Sequence, residues 1–403
     1  MSPARVLVTD AGRGSAIAVI RSLGRAGLHV IAADHERRSP GFRSRYAAER
    51  LVYPDPAGNP AAVVELLHQR AAAGQVDLIV PVSDELMLPL AAARGRFAGL
   101  SSLAIPDDAA LEQVVDKTAT AALAGRLGVP LPRTAVVRTV DEALAVAPGL
   151  GWPVVLKPAT SCLLRGGAAE RFHISYADRP ATLAARMEQL EGRCAVLVQE
   201  YRSGEGHGVE LLLDRGRPLM AFQHRRLHEV PISGGASALR ESVALDPRLL
   251  GHSVRLLAAL RWTGLAMVEF RLGSAGPVLM EVNGRIWGSL PLALKSGVDF
   301  PLGLARLYLD PEPEPEAAAN GAALGVRSRN LRLELVWIAS VLRRRRRYPF
   351  LAAPPRRDGL VAALRLPLPG DGFDVLCRDD PAPGISDAVG AAGHLLRKVR
   401  HAA

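Results

Sequence analysis

The sequence has only three cysteines, and they are too widely spaced to form a recognisable motif. Cys162, Cys194 and Cys377 lie in separate parts of the chain, whereas disulfide frameworks and zinc or redox motifs need several cysteines at short spacings. The chain is therefore not expected to be a disulfide-stabilised secreted domain or a cysteine-ligated metalloprotein. Such cysteine usage favours a reducing setting, and we expect a cytoplasmic protein.

Long apolar runs and secretory features are also missing. No stretch approaches the roughly 18 consecutive apolar residues that are needed to cross a bilayer. The N-terminal sequence "MSPARVLVTDAGRG" leads directly into a strand-like segment and does not have the pattern of a signal peptide. The 403 residues, of which 49% are hydrophobic and 22% are charged, predict a globular protein of two or three domains.

Acidic residues are scarce in one C-terminal segment, which accounts for most of the net charge of +10. Residues 326–357 contain ten arginines and a single acid, Glu334. The run Arg343–Arg347 ends a helical pattern with an apolar side. It is either a solvated helix end or a patch for an anionic membrane surface or an acidic partner. Nucleic acid is not an expected partner, because no aromatic residues are interleaved with the arginines.

Strands and helices alternate in the first part of the chain. The stretches "ARVLVTDAG", "LHVIAADHE" and "VDLIVPVSDE" are strand-like, and helical patterns separate them, which predicts a parallel sheet with right-handed crossovers. A Gly-x-Gly turn at Gly12 and Gly14 follows the first strand, and Asp34 ends the second. Ile17 replaces the third glycine of the dinucleotide fingerprint, so a nicotinamide oxidoreductase has only weak support.

The stretch "VEFRLGSAGPVLMEVNGRIWGSL" predicts a hairpin that carries unexpected polar residues. If the turn is centred on Ala275, Glu269 and Glu281 face each other across two antiparallel strands. Opposed carboxylates in an apolar hairpin are unfavourable unless something compensates them. Strand alternation places Asn283 and Arg285 on the face of Glu281. The pattern predicts an Mg²⁺ site at Glu269, Glu281 and Asn283, with Arg285 beside a phosphate. A surface hairpin with solvated acids is the alternative.

This hairpin resembles the metal-binding end of the ATP-grasp superfamily, which has an acidic residue on one strand and Glu-x-Asn-x-Arg on the next. "MVEF" followed by "LMEVNGRIWGSLPLALKSGVDFP" is most like the branch of carbamoyl-phosphate synthase and predicted carboligases. The resemblance covers roughly residues 1–310. It implies an α/β pre-ATP-grasp domain (1–112) and a two-lobed α+β ATP-grasp domain (113–310, lid lobe about 153–202). A linker and a basic C-terminal region follow (311–403).

The resemblance also implies an ATP site with Mg²⁺, or with Mn²⁺ as the alternative. Lys117, Lys157 and Arg285 would contact phosphates. The hinge residues Gln199, Glu200 and Tyr201 would hold adenine. Glu205, or alternatively Glu210, would hold the ribose hydroxyls. The expected catalytic residues are Arg285, Arg225 and Lys157.

Substrate contacts are expected from both domains. In the first domain, the turn Gly12–Ser15 and the strand tip Ser83–Glu85 would face the acid. In the second, a substrate-facing loop around "QHRRLHEVPISGGASALRES" would use Arg225 and Arg226 on a carboxylate or on the acyl phosphate, with donors from Ser233, Gly234, Gly235 and Ser237. A flexible connecting loop is the alternative. The usual glycine-rich phosphate loop is missing, so Arg165 or Arg171 would serve the lid. His224 and His228 are not expected to bind metal.

The resemblance implies an ATP-dependent carboxylate–amine ligase that works through an acyl phosphate. Its expected partners are a small-molecule carboxylic acid and an amine or another nitrogen nucleophile. A phosphotransferase that stops at the phosphorylated acid is one alternative, and a catalytically inert nucleotide-binding regulatory protein is another. The sequence names neither substrate and leaves the oligomeric state open, including a homo-oligomer.

Overall fold

Five parallel strands form a sheet in the first part of the chain. The computed structural model describes residues 3–159, 162–165, 168–310, 321–343, 348, 350–366 and 370–400. The strands are β1 (Arg5–Val8), β2 (His29–Asp34), β3 (Glu49–Val52), β4 (Leu78–Val80) and β5 (Ser102–Leu103), in the order β3-β2-β1-β4-β5. The helices are α1 (Gly14–Arg25), α2 (Pro60–Ala72), α3 (Asp84–Ala92) and α4 (Asp108–Val115), with short 3-10 helices at Pro40–Arg43 and Arg94–Phe97. Helices cover both faces of the sheet, which buries successive residues of β1. The predicted parallel α/β domain is confirmed.

A smaller lobe with an antiparallel sheet follows. Helix α5 (Lys117–Arg126) precedes this lobe and packs through Ala124 on the core of the central sheet. The lobe contains β6 (Thr134–Val137), α6 (Val140–Leu150), β7 (Val154–Pro158), β8 (Cys162–Arg165), β9 (Ala168–Arg171), β10 (Ser175–Ala177), α7 (Pro180–Met187) and β11 (Val196–Glu200). The four-stranded sheet has the order β10-β7-β11-β6, and β8 and β9 form a separate ribbon. Because β6 pairs with β11, with Thr134 opposite Gln199, the sheet of this lobe starts before the lid boundary that we placed near residue 153.

A seven-stranded sheet forms the centre of the molecule, in the order β16-β15-β12-β13-β14-β17-β18. Its first elements are β12 (Glu205–Asp214), β13 (Arg217–Val230), β14 (Ala236–Ser242), α8 (Pro247–Ala259), β15 (Gly264–Gly273) and β16 (Gly276–Asn283). Arg215 and Gly216 both have positive φ and turn the chain between β12 and β13, which confirms the predicted hairpin at this dipeptide. The expected loop after Gln223 is instead mostly strand, because β13 continues to Val230 and β14 begins at Ala236.

The predicted hairpin at residues 268–290 is formed by β15 and β16. Glu269 lies opposite Glu281 in the strand register, so the predicted pairing is confirmed. The turn is one position tighter than a turn centred on Ala275 would be, because Gly273 pairs with Gly276. A β-bulge at Met280 supplies the extra residue that brings the two glutamates back into register.

The C-terminal part of the chain completes the central sheet. Its elements, after α9 (Leu290–Lys295) and α10 (Phe300–Leu309), are β17 (Arg327–Arg329), α11 (Leu331–Arg343), α12 (Arg356–Arg365), β18 (Gly372–Phe373) and α13 (Pro381–Arg400). Strand β17 pairs with β14, and β18 pairs with β17. The buried pair Arg21–Asp380 also ties this part to α1, with a distance of 2.8 Å between Nε and Oδ2. The predicted linker at 311–320 and the arginines 344–347 lie outside the described residues, so an anionic membrane or acidic partner there stays a prediction.

Apolar cores lie on both faces of the central sheet. In β12, Leu211 and Leu213 pack on the side of α8, whereas Leu212 packs on the opposite side, against α10. The latter core also contains residues of α1 and β1, so it joins the central sheet to the N-terminal domain. Among the described residues, no helix is both long and apolar enough to cross a membrane.

Candidate active site

A cavity of about 350 Å³ lies between the small lobe, the central sheet and the C-terminal part. Its walls come from β7 and Tyr201 on one side, from β15 and β16 on another, and from Asn330 and Leu333 at the start of α11. The polar hairpin residues Glu269, Glu281, Asn283 and Arg285 all line it. Residues that are distant in sequence therefore meet around the hairpin.

The two hairpin glutamates and Asn283 form a compact set of oxygen-bearing side chains. The Nδ2 atom of Asn283 donates to Oε1 of Glu269 at 2.9 Å, which leaves the amide oxygen as the ligand atom of Asn283. Within the described residues, no group of three or more His, Cys, Asp or Glu side chains could share a metal ion. A metal here would thus be held by two carboxylates and one amide, a ligand chemistry that fits Mg²⁺ completed by phosphate and water.

Each glutamate of the hairpin has a cation beside it. Nζ of Lys117 lies 3.4 Å from Oε1 of Glu281, and a guanidinium nitrogen of Arg226 lies 2.6 Å from Oε1 of Glu269. These contacts explain how opposed carboxylates persist in a partly buried hairpin. Burial acts to raise the pKa of Glu281, but Lys117, Lys157 and Arg285 outweigh it, so the pKa of this carboxyl is below its usual value.

Lys157 reaches the same place from the small lobe. It is 6% exposed, and its Nζ donates to the backbone oxygen of Met280 at 3.2 Å. Burial lowers the pKa of Lys157 to about 8, although the charge of Glu281 opposes the shift. A buried cation with few anionic partners is well suited to receive a phosphate.

Arg285 connects the hairpin to the N-terminal domain. Its Nε donates to Oδ2 of Asp84 at 2.8 Å, and Asp84 is the first residue of α3. A second cavity, of about 550 Å³, contains Asp84, Ser83, Glu85 and Arg13, and it shares Glu281, Asn283 and Arg285 with the first. The strand tip Ser83–Glu85 and part of the turn Gly12–Ser15 therefore face the hairpin site, whereas Asp34 is buried and accepts hydrogen bonds from Gly12 and Ser39.

The hinge residues occupy different environments. Tyr201 lines the cavity. Gln199 is buried and donates to Oγ1 of Thr134 at 2.9 Å. Glu200 accepts from Nε of Arg133 and from Nε of Arg202, both at 2.8 Å. The side chain of Glu200 thus links β11 to Arg133 and Arg202, and both the hinge and adenine recognition by its backbone groups stay predictions.

The comparisons with known proteins point to one superfamily. A family model described as "ATP-grasp in the biosynthetic pathway with Ter operon" matches residues 193–329, which include the hairpin and the whole of β12 to β16. The chain is similar to the ATP-grasp superfamily over these residues. It is 27% identical to the carbamoyl phosphate synthase large chain of Thermus thermophilus over 215 residues, which are 52% of this chain and 20% of that protein. The chain thus spans about a fifth of the length of such relatives.

Solved ATP-grasp structures share the fold at low sequence identity. The biotin carboxylase domain of the Hydrogenobacter thermophilus 2-oxoglutarate carboxylase, determined with MgADP and bicarbonate, gives a TM-score of 0.63 at 19% identity, covering 81% of this chain and 74% of that one. The L-amino acid ligase of Bacillus licheniformis gives 0.61 at 17% identity, covering 80% and 78%. These likenesses extend the assignment of the fold to about four fifths of the chain.

Two sequence predictions for the site are corrected by strand geometry. Alternate residues of β13 point to opposite faces, and Arg226 lines the cavity. Arg225 lies on the other face, where it pairs with Glu241 at 2.6 Å and with Glu205 at 3.6 Å. Arg225 is therefore not in a catalytic position, and Glu205 is not among the described residues that line the cavity.

The alternative ribose residue, Glu210, is also excluded by its surroundings. Glu210 has no exposed surface, and its Oε1 lies 2.6 Å from Nδ1 of the equally buried His224. Burial raises the pKa of Glu210 and lowers that of His224, so burial favours the neutral form of each. His228 in turn bonds to Glu334 at 2.9 Å. In the described residues, neither histidine belongs to a group of three or more His, Cys, Asp or Glu side chains. The side chains of Arg165 and Arg171 lie outside the described residues.

Sequence reasoning missed two residues that line the first cavity. Arg240 is 1% exposed, and Trp287 has no exposed surface, yet both line the cavity together with the predicted donors at residues 233–237. Their positions follow from strand period. Arg240 lies opposite Arg226 in the strand register, so the inward direction of Arg226 predicts that of Arg240.

Proposed function

We propose that this chain is an ATP-dependent ligase that activates a carboxylic acid and joins it to a nitrogen nucleophile. The observation that carries the proposal is the hairpin site, where Glu269 and Glu281 face each other beside Asn283. Lys117, Lys157 and Arg285 surround this site. The two carboxylates suit a positively charged metal ion, and the neighbouring cations suit the negatively charged phosphates. The site is therefore suited to a metal–triphosphate.

The chain's own residues would bind and orient the reacting groups. Lys117, Lys157 and Arg285 would hold the phosphates of ATP, and Glu269, Glu281 and Asn283 would hold Mg²⁺. When bound, Mg²⁺ would neutralise the negative charge that develops on the phosphate oxygens during transfer. The cavity walls would keep water from the activated acid, since an acyl phosphate in open solvent hydrolyses.

The proposed reaction has two steps that balance. A carboxylate oxygen of the acid attacks the γ-phosphorus, and the bond from that phosphorus to the ADP oxygen breaks. The amine then attacks the acyl carbon, phosphate leaves, and the nitrogen loses a proton to form an amide. Because positioning and charge stabilisation dominate such transfers, no nucleophilic serine or cysteine is needed.

The relatives support this class of reaction without naming the substrates. One solved neighbour is named as an L-amino acid ligase, and another was determined with MgADP and bicarbonate. We further propose a cytoplasmic location, which agrees with the free thiols of Cys194 and Cys377.

The test is the variant Glu281→Gln, which removes one anionic ligand and keeps the side-chain shape. Magnesium-dependent ADP release should fall at least about tenfold, because metal-assisted charge stabilisation contributes several kcal/mol to phosphoryl transfer. The matched control, Glu112→Gln on the exposed side of α4, should leave ADP release unchanged. Unchanged ADP release in a folded Glu281→Gln protein would refute the site.

Product analysis separates the ligase from a phosphotransferase. Mass spectrometry of reactions with an acid and ATP, with and without an amine, should show a joined product only when the amine is present. A phosphorylated acid that persists with every amine would instead establish the phosphotransferase. ATP binding by calorimetry without any turnover would identify the inert nucleotide-binding protein, whereas no ATP binding would refute the ligase.

A further inference from the structure

The inner end of the cavity is rich in hydrogen-bond donors that have no partner. The atoms are Oγ of Ser233, Oγ of Ser237, Nε of Arg240 and Nε1 of Trp287, and each is buried without a hydrogen bond in the protein. The terminal nitrogens of Arg240 are already paired, with Asp374 and with backbone oxygens, so only its Nε–H is available. All four residues line the cavity. A buried donor without an acceptor is costly, so such a cluster indicates a place for a ligand that supplies acceptors.

The chemistry of these atoms restricts the ligand. The Nε–H groups of arginine and tryptophan can only donate, and serine hydroxyls can rotate to donate. An ionised carboxylate only accepts, and it has enough lone pairs for several donors at once. An ammonium group only donates, so it does not fit this cluster.

The N-terminus of α11 adds to the preference for an anion. Asn330 precedes the helix, its Oδ1 accepts from the backbone nitrogen of Leu333 at 3.1 Å, and both residues line the cavity. The helix is 13 residues long, and its dipole places partial positive charge at this end. The buried, unpartnered Nε atoms of Arg240 and Trp287 provide the independent evidence that a ligand belongs here.

The donor cluster lies next to the hairpin site but is distinct from it. Trp287 follows Arg285 by two residues, and a guanidinium nitrogen of Arg240 lies 3.5 Å from the backbone oxygen of Gly288. Three residues of chain span at most about 10 Å, so one small molecule can reach both places.

We propose that the acid substrate carries a second carboxylate, which binds at the donor cluster formed by Ser233, Ser237, Arg240 and Trp287 while the reacting carboxylate lies beside Arg285. This inference rests on the proposed function for the position of the reacting carboxylate. It assigns the substrate class as a small dicarboxylic acid. It also gives the C-terminal part of the chain a role in substrate binding, through the start of α11.

The first experiment measures binding without ATP. The full chain is titrated calorimetrically with succinate, glutarate and adipate, and with butyrate, pentanoate and hexanoate as monocarboxylates of matched carbon number. At least one dicarboxylate should bind about tenfold more tightly than its matched partner, a difference of about 1.4 kcal/mol. If no dicarboxylate binds more tightly than its partner, the proposal is wrong.

The second experiment locates the binding. Ser237→Ala and Trp287→Phe each remove a donor and keep most of the side-chain volume, and each should weaken the dicarboxylate at least about fivefold. The loss of ATP affinity in each variant should be smaller than its loss of dicarboxylate affinity. The matched controls are Ser340→Ala, whose hydroxyl bonds within α11, and Trp152→Phe, which is partly exposed in the small lobe. Equal dicarboxylate binding by wild type and by variants with wild-type thermal unfolding would contradict the proposal.

The two proposals can fail separately. Tight dicarboxylate binding that depends on Ser237 and Trp287, without ADP release, would support the donor cluster and refute the ligase. ADP release and amide formation with monocarboxylates alone would support the ligase and refute the donor cluster.

Discussion

Lys157 is buried in the folded protein, and this burial disfavours the charged form of its amine. Burial lowers its pKa to about 8, whereas an unfolded lysine keeps its proton up to about 10.5. Between these values the unfolded chain binds more protons, so this group makes the folded state more stable as the pH rises. Below about pH 8 the lysine is charged in both states, and its desolvation cost is fully present.

The titration of Lys157 should appear in ATP binding. Because the neutral amine loses its attraction for phosphate, we predict that ATP affinity, measured calorimetrically, falls as the pH rises through about 8. Lys157→Met should bind ATP at least about tenfold more weakly at neutral pH and should lack this pH dependence. Lys295 is a matched control: burial also lowers its pKa to about 8, but it contacts Ser328 and the backbone of Phe373. A pH profile that persists in Lys157→Met would assign the titration to another group.

Glu210 and His224 illustrate a buried pair with a structural role. Because burial favours the neutral form of each partner, Glu210→Gln should change the free energy of unfolding by less than about 1 kcal/mol. Glu210→Leu would leave Nδ1 of His224 without its partner and should cost about 1–3 kcal/mol. Urea unfolding measures both changes. ATP affinity should be unaltered in Glu210→Gln, and a marked loss of affinity would restore Glu210 as a ribose contact.

At the scale of elements, two adjacent residues of one strand lie on opposite faces of the sheet, and only one of them lines the cavity. Arg226 and Arg225 are adjacent in β13, but only Arg226 contacts the hairpin carboxylate Glu269. Removing a cation beside a metal-ligating carboxylate strengthens its attraction for a divalent ion. We predict that Arg226→Gln lowers the Mg²⁺ concentration for half-maximal ATP turnover by about threefold or more, whereas Arg225→Gln leaves it unchanged. Equal shifts in the two variants would contradict the assigned faces.

The elements also show how far the sequence alone could predict this site. The facing glutamates were predictable because a hairpin is local, even though a bulge at Met280 corrects a turn that is one position tighter than expected. Arg225 was mistaken for a cavity residue because the sequence does not show which face of a long strand is inside. Strands β17 and β18 have three and two residues. Their pairing depends on distant contacts, which no local pattern reveals.

The donor cluster could not be predicted from the sequence, for a different reason. Arg240 lies in β14, Trp287 follows β16, and Leu333 belongs to α11. Each is unremarkable in its own segment, and only the tertiary packing brings them to one cavity. Sequence spacing predicts which side chains meet in a site when they share one element. It predicts this poorly when three elements each contribute one residue.

At the scale of the whole molecule, two cavities share one set of residues. The cavity below the small lobe and the one beside the N-terminal domain both contain Glu281, Asn283 and Arg285. Ligands in either cavity therefore affect the same side chains. Closure of the lobes around filled cavities would protect an acyl phosphate from water.

This arrangement predicts that ATP use depends on both substrates. ADP release by the full chain should be slow with ATP alone, and at least about tenfold faster with the correct acid and amine together, because only the filled site closes. The measurement is ADP release across a matrix of acids and amines. Fast ADP release that no acid or amine alters would identify a plain ATPase.

In the resting site, Lys117 contacts Glu281 and Arg226 contacts Glu269. A metal ion that binds these carboxylates must therefore replace both side-chain cations. A divalent ion that binds alone must displace the Lys117 and Arg226 side chains from the carboxylates, and it supplies no new anionic partner for them. A divalent ion that arrives with a triphosphate displaces them and supplies new anionic oxygens close by. The resting protein should therefore discriminate between free metal and metal–nucleotide, and the selection comes from counter-ions that belong to the chain itself.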